Sequence, residues 1–169
     1  MLAVALTSAA AQVSVPLPFT PVPLVLTPLA VLVTSAALGA RLGAAAQLAY
    51  LLAGVAGLPV FAPSATLPPG PLRLLGPTGG YLIAYPFAAF LTGLLAERGW
   101  DRSYWSSLAA MLIGLAVIYL GGVSWLTLTV TRSLAAAVTM GLQWFVLLDV
   151  LKLVAGAMVL PQAWKLLKA

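Results

Sequence analysis

The spacing of the charged residues is the feature that most constrains this chain. Its 169 residues include eight Lys or Arg and three Asp or Glu, so uncharged runs extend over residues 1–40, 42–72, 74–96, 103–131, 133–148 and 153–164. A helix that spans a bilayer needs about 20 predominantly apolar residues, so these runs can hold several spans and little else. The chain is therefore predicted to lie in a lipid bilayer, and a soluble enzyme or a nucleic-acid-binding protein is excluded.

Clusters of proline, glycine and charged residues divide the apolar sequence into six segments. Proline and glycine leave backbone groups that lipid cannot satisfy, so breaks are expected at residues 16–23, 39–43, 57–77, 97–103 and 121–131. Helical segments are then predicted near residues 1–15, 24–39, 42–57, 78–97, 104–122 and 132–162. The first three are short for a bilayer, because a helix rises only about 1.5 Å per residue. The predicted fold is an all-α membrane protein, with one domain over residues 1–169 and six transmembrane helices in an irregular bundle.

Six spans would place both termini on the same side of the membrane, together with the second and fourth loops. Five cations would lie on that side: Arg41, Arg98, Arg102, Lys165 and Lys168. The opposite side would hold only Arg73 and Arg132. Because loops rich in Lys and Arg stay in the cytoplasm, both termini are predicted to be cytoplasmic. The longest loop, residues 58–77, then faces outward, and its apolar, proline-rich sequence is typical of a lid or re-entrant cover.

Asp149 and Lys152 lie inside the last apolar segment. An ionisable residue at such a depth costs about 3 kcal/mol unless it is paired or faces a polar cavity, so it is a candidate functional residue. The i, i+3 spacing places both side chains on one helix face, and Phe145 lies on the same stripe. A charged pair beside an aromatic ring suits a small ligand with an apolar body and hydrogen-bonding groups. The alternative is a structural ion pair that holds two helices together.

A glycine-rich turn precedes the fourth segment. Thr78, Gly79, Gly80 and Tyr81 supply a hydroxyl and exposed backbone N–H groups at the start of a helix, where the oxygens of a ligand can be bound. Tight helix packing with a cap is the alternative interpretation. Tyr50, in the third segment, is a further candidate because a buried phenol needs a hydrogen-bond partner.

Small residues recur along the first helix, where Ala5 and Ala9 lie four positions apart. A stripe of this kind lets another helix approach closely. The approaching helix belongs either to the same bundle or to a partner subunit, and the sequence alone leaves both alternatives open.

The composition argues against catalysis within this chain. It contains no cysteine and no histidine, so the commonest transition-metal ligands and a thiol nucleophile are missing. Its carboxylates other than Asp149 fall in the loop at residues 97–101. It also lacks a P-loop, so any ATP hydrolysis would have to occur in another subunit. No catalytic residue, metal site or cofactor is predicted.

The chain resembles the BioY family, the biotin-specific substrate-capture (S) components of energy-coupling factor (ECF) transporters. The resemblance rests on PLPFTPVPL at residues 16–24, LGARLGAAAQLAYLLAGVAGLPVFAP at 38–63, GPTGGYLIAYPFAA at 76–89, and the D-x-x-K of Asp149 and Lys152. It implies six helices and a biotin pocket on the outer side, closed by the first and third loops. It also implies a bacterial cytoplasmic membrane as the location. The expected partners are a transmembrane coupling subunit and two ATP-binding subunits.

The resemblance also assigns roles to individual residues. Asp149 and Lys152 match the acid and base of the family's binding site, Tyr50 matches its third-helix tyrosine, and residues 76–81 match its signature turn. Thr27 stands where the family usually has a glutamine, so a contact made by that amide is lost or replaced by a hydroxyl. The remaining candidate ligand contacts are apolar or cationic: Phe61, Tyr81 and Phe145, which could cover the ring system, and Arg73, a second candidate partner for the carboxylate.

Several alternatives stay open on the sequence alone. Which charged residue meets which end of biotin is undecided. An S component for another vitamin would share most of these features, and so would a structural membrane protein with a buried Asp–Lys pair. A membrane enzyme is the least favoured class, because neither a nucleophile with an activating base nor a metal site is visible.

Overall fold

Six apolar helical segments form the bundle in the described part of the chain, as predicted. The computed structural model describes residues 1–64 and 67–167. Three segments in this part of the chain are long and apolar enough to cross a bilayer: Gly79–Trp100, Tyr104–Thr131 and Leu134–Gln162. Three shorter apolar helices come first: α1 (Leu2–Gln12), α2 (Thr27–Leu38) and α3 (Ala40–Val55). A one-turn helix, α4 (Leu72–Leu75), lies in the longest loop.

Each of the long segments departs from regular α-helix near its end or middle. α5 (Gly79–Leu95) continues into a π-helical turn at Ala96–Trp100, and α6 (Tyr104–Leu126) continues into another at Thr127–Thr131. The last segment consists of α7 (Leu134–Val138), a π-helical turn (Thr139–Gln143), α8 (Val146–Gly156) and α9 (Val159–Leu167). Such turns interrupt the regular hydrogen-bond ladder and are frequent at functional sites.

The break predicted at residues 121–131 is wrong, because α6 runs through Gly121 and Gly122 and the helical segment ends only before Arg132. These glycines serve close packing between α5 and α6. A Cβ atom at position 121 would lie 2.7 Å from the Cβ atom of Ala84, and one at position 122 would overlap the ring of Tyr81. Arg132 ends the segment in the left-handed conformation, with φ of 54°.

The first loop, residues 14–25, folds as a small hairpin that the sequence did not predict. β1 (Ser14–Val15) pairs antiparallel with β2 (Leu24–Val25), so that Ser14 lies opposite Val25. Four of the eight residues between the strands are prolines, which have no N–H donor, so the ladder does not extend through this stretch. The hairpin therefore fixes the two ends of the loop and leaves its tip to be held by other contacts.

At the end of the bundle opposite the start of α5, the beginning of α3 contacts the π-helical turn that follows α5. Ala40, at the start of α3, donates its backbone N–H to Oε1 of Glu97 over 2.9 Å, which satisfies one of the unpaired donors of the helix start. Arg41, Arg98, Arg102 and Lys165 are exposed. Lys168, the remaining cation of the predicted cytoplasmic set, lies outside the described residues.

Candidate ligand-binding site

A cavity of about 390 Å³ lies at the end of the bundle where α5 begins. This volume is in the range of small-molecule sites. Residues 16–17 and 20–25 of the first loop form one wall, and residues 61–64 and 67 of the long third loop form another. α2, α3, α5, α6 and the last segment complete the walls. The two loops that the resemblance implicates in pocket closure therefore both contribute to the lining.

Asp149 lies at the centre of a hydrogen-bond network in the cavity wall. The hydroxyl of Tyr119 donates to its Oδ2 atom over 2.7 Å, and the ammonium of Lys152 donates to its Oδ1 atom over 2.7 Å. Lys152 also donates to the backbone carbonyl of Val25 over 2.9 Å. A cation and a hydroxyl thus both donate to one carboxylate, and hydrogen bonds that involve a charged group are stronger than those between neutral groups. Each carboxylate oxygen keeps acceptor capacity for a further N–H donor.

Arg73 is the cationic side chain that lines this cavity within the described part of the chain. It projects from α4, and only 9% of the residue is exposed. Burial lowers the pKa of Arg73 from its ordinary value, while the nearby Tyr50 opposes that shift. The guanidinium still carries its charge at neutral pH, because an arginine side chain is not deprotonated in proteins.

Aromatic rings form two groups between these charges. Tyr50 packs edge-to-face on Phe61 with ring centroids 5.3 Å apart, and it lies 6.4 Å from the ring of Tyr85. Tyr81 packs edge-to-face on Tyr119 with a centroid distance of 6.3 Å. Since Tyr50 is the phenol beside Arg73 and Tyr119 is bonded to Asp149, the cavity offers a cationic region and an anionic region joined by aromatic walls.

Most of the residues that the sequence singled out meet at this cavity. The cavity-lining ones are Asp149, Arg73, Tyr50, Tyr81, Phe61, Phe145, Thr27 and Thr78. Tyr50 donates its hydroxyl to the carbonyl of Val60 over 3.2 Å, so the phenol has the partner that the sequence argument required. Thr27 is 2% exposed and lies beside the phenol of Tyr85.

Five of the predicted residues lie outside the cavity lining. Lys152 does not line the cavity, but its ammonium donates hydrogen bonds to two residues that do, Asp149 and Val25. Gly79 and Gly80 pack tightly, since a Cβ atom at either position would overlap Leu74 or Trp125. The remaining two lie on the exposed side of α1, whose buried side consists of Ala3, Thr7 and Ala11: they are Ala5 and Ala9.

Sequence reasoning missed two phenols of the site. Tyr85 and Tyr119 lie in uncharged apolar runs of α5 and α6, and both are buried against the cavity. The argument that singled out Tyr50, a phenol in an apolar helix that needs a partner, applies equally to them. The wall formed by the first loop gave no comparable signal, because its lining residues are mostly proline and aliphatic.

The fold and the cavity define a multi-pass helical membrane protein with a charged, aromatic-lined cavity of small-molecule size. The BioY family model matches residues 1–169. Because this model matches the whole chain and a named relative also matches most of it, the chain belongs to the BioY family. The predicted family resemblance is thus confirmed.

Similar proteins cover most of the chain. The biotin transporter BioY of Thermotoga maritima is 38% identical over 162 residues, which are 96% of this chain and 91% of that protein. The probable biotin transporter BioY of Pyrococcus horikoshii is 44% identical over 123 residues, 73% of this chain and 68% of that protein. A crystal structure of the S component for biotin from an ECF-type ABC transporter superposes with a TM-score of 0.86 at 25% identity. It covers 97% of this chain and 87% of the other.

Proposed function

We propose that this protein captures biotin with high affinity, as the S component of an ECF-type transporter in a bacterial cytoplasmic membrane. The observation that carries the proposal is one cavity lined by a carboxylate, a guanidinium and several aromatic rings. Biotin offers complementary groups: a ureido ring with two N–H donors, an apolar thioether ring, and a carboxylate on an aliphatic tail. The names of the relatives and the structural similarity support the same ligand.

The network around Asp149 favours one orientation of biotin. Asp149 accepts hydrogen bonds from Lys152 and Tyr119, and its oxygens have acceptor capacity left for the N–H groups of the ureido ring. Lys152 is already bonded to Asp149 and to Val25, and it lies outside the lining, so the carboxylate of biotin is assigned to Arg73. Arg73 suits this role because a guanidinium can bind a carboxylate with two parallel hydrogen bonds. Phe61, Tyr81 and Phe145 then cover the apolar part of the ligand.

Transport is proposed to depend on other subunits. The sequence lacks a P-loop, so the ATP-binding subunits and the coupling subunit of an ECF module would supply the energy. The exposed Ala5 and Ala9 on α1 are proposed to contact the coupling subunit, because small side chains allow close helix approach. The chain is proposed to act as one domain without enzymatic activity, and both termini are assigned to the cytoplasm on the distribution of cations.

A thermal-shift panel on the detergent-purified protein tests the ligand. Bound ligand stabilises a protein by RT ln(1 + [L]/Kd), about 2.7 kcal/mol at a concentration 100 times Kd. Biotin should raise Tm strongly, whereas thiamine, riboflavin and pantothenate at equal concentrations should not. A shift with one of those vitamins instead would indicate an S component of different specificity. No shift with any of the four would favour a structural role for the Asp149–Lys152 pair.

A further inference from the structure

The tip of the first loop is attached to the last transmembrane segment through Thr20. The hydroxyl of Thr20 donates to the backbone carbonyl of Met140 over 2.7 Å and accepts the N–H of Val22 over 3.2 Å. Thr20 is 9% exposed, although it belongs to a surface loop. Its side chain therefore stabilises the turn of the loop and also connects that turn to the bundle.

Val22 and Leu17 of this tip pack against the apolar core, but few polar contacts hold it. Within residues 1–64 and 67–167, the Thr20–Met140 bond is the only hydrogen bond between residues 16–23 and a transmembrane segment. Phe19 and Trp144 add a tilted ring contact with centroids 5.3 Å apart, but each residue is 53% exposed. The base of the loop is held separately, by the β1–β2 pairing and by the bond from Lys152 to Val25.

The acceptor of this bond lies in a specialised part of the last segment. Met140 belongs to the π-helical turn Thr139–Gln143, and the next carbonyl, that of Gly141, accepts the hydroxyl of Tyr81 over 2.7 Å. Two successive carbonyls of one turn therefore bind a loop residue and a cavity residue. The turn precedes α8, which carries Asp149. The loop tip and Tyr81 of the cavity wall are thus both bonded to one turn, which leads into the helix that carries Asp149.

We infer that Thr20 is a positioning residue whose hydroxyl keeps the first loop closed over the bound ligand, and so sets the rate of ligand release. The inference rests on the proposed biotin-binding function. Residues 16–17 and 20–25 form a wall of the cavity, so a ligand enclosed there is exposed when the loop moves away. A bond that exists only in the closed arrangement slows dissociation, and its loss leaves association nearly unchanged.

The test compares Thr20→Val, which has nearly the same shape but lacks the hydroxyl, with Thr20→Ser, which retains it. Tritiated biotin is bound to the detergent-purified protein, and its release into excess unlabelled biotin gives the dissociation rate. The association rate is measured by rapid mixing. Thr20→Val should release biotin about 5- to 10-fold faster, the factor expected for the loss of one or two modest hydrogen bonds. Its association rate should change by less than about 2-fold.

Two controls separate this role from a general structural one. Thr20→Ser should behave like the wild type. Thr129→Val should do so too, because the Thr129 hydroxyl bonds only to the Trp125 carbonyl of its own helix and lies outside the cavity. Wild-type release from Thr20→Val would overturn the inference while leaving biotin binding intact. The inference would also be overturned if Thr20→Val lowered the ligand-free Tm and changed the association and dissociation rates by the same factor. Absence of biotin binding by the wild type would overturn the proposed function together with the inference.

Hydrogen–deuterium exchange on the wild type provides a second test that needs no variant. Biotin should slow amide exchange in residues 16–25, including the N–H of Val22 that bonds to Thr20. Exchange in this stretch that is unaffected by saturating biotin would show that the loop does not close over the ligand, and would overturn the inference.

Discussion

Replacement of Asp149 by asparagine should abolish most of the affinity for biotin. The carboxylate accepts hydrogen bonds from Tyr119 and Lys152 and lines the cavity. An asparagine at this position has one acceptor oxygen, and its NH₂ group replaces the oxygen that accepts from either Tyr119 or Lys152. This NH₂ group is a donor, so it cannot accept a hydrogen bond from the ureido N–H of the ligand. The ligand therefore loses a charged acceptor and meets a mismatched group.

The size of this effect follows from the burial of the site. The Asp149 side chain is 9% exposed, so a charge-assisted hydrogen bond made there is worth about 1.5–3 kcal/mol. Titration calorimetry should accordingly give a Kd for biotin raised roughly 10- to 150-fold. The ligand-free Tm should also fall, because Lys152, with a side chain 18% exposed, loses its counter-charge.

A double variant separates binding from stability. Adding Lys152→Met to Asp149→Asn removes the unpaired ammonium, so the ligand-free Tm should recover while biotin affinity stays low. Wild-type affinity in Asp149→Asn would refute the assignment of this carboxylate to the ligand. Recovery of affinity in the double variant would show that the loss in the single variant came only from the unpaired ammonium.

Three further predictions concern other parts of the molecule. Arg73→Gln should weaken the binding of biotin more than the binding of biotin amide, which lacks the carboxylate charge, in parallel calorimetric titrations. Equal weakening of both ligands would show that Arg73 does not bind the carboxylate. Glu97→Ala removes the acceptor for the Ala40 N–H at the start of α3, which costs about 1 kcal/mol. It should lower the Tm by a few degrees with the Kd for biotin unchanged; a changed Kd would show that this end of the bundle is coupled to the cavity. Ala9→Trp should leave biotin binding intact but block biotin uptake by cells that contain the ECF module, and normal uptake would show that this face of α1 does not contact a partner.

The sequence predicted the six segments because the signals that define them are local. Charged and proline-rich clusters interrupt apolar helices wherever they occur, and a buried acid and base are rare enough in such helices to be singled out. A glycine, by contrast, can either end a helix or allow close packing within one, and the sequence does not distinguish these two roles. Gly39 has a positive φ of 84° in the turn between α2 and α3, whereas Gly121 lies within a continuous helix that packs against Ala84. Only the tertiary contact distinguishes the two roles.

Features of the site that depend on distant contacts could not be predicted. The bond from Lys152 to Val25 joins residues 127 positions apart, and the Thr20–Met140 bond joins residues 120 apart. Strands of two residues, such as β1 and β2, are too short to produce a detectable alternation of polar and apolar residues. The residues themselves predicted the first loop only as a break between helices, while the family resemblance implied that it closes the pocket. Its hairpin and its contact with α8 emerge from the fold.

The structure of the protein with biotin bound is the decisive test of the proposed binding mode. Biotin should lie within the cavity, with its ureido N–H groups within hydrogen-bond distance of the Asp149 carboxylate and its carboxylate on the Arg73 guanidinium. Residues 16–25 should cover it, with the Thr20 hydroxyl still bonded to the Met140 carbonyl. Biotin bound in the reverse orientation, or outside this cavity, would show that the proposed binding mode is wrong.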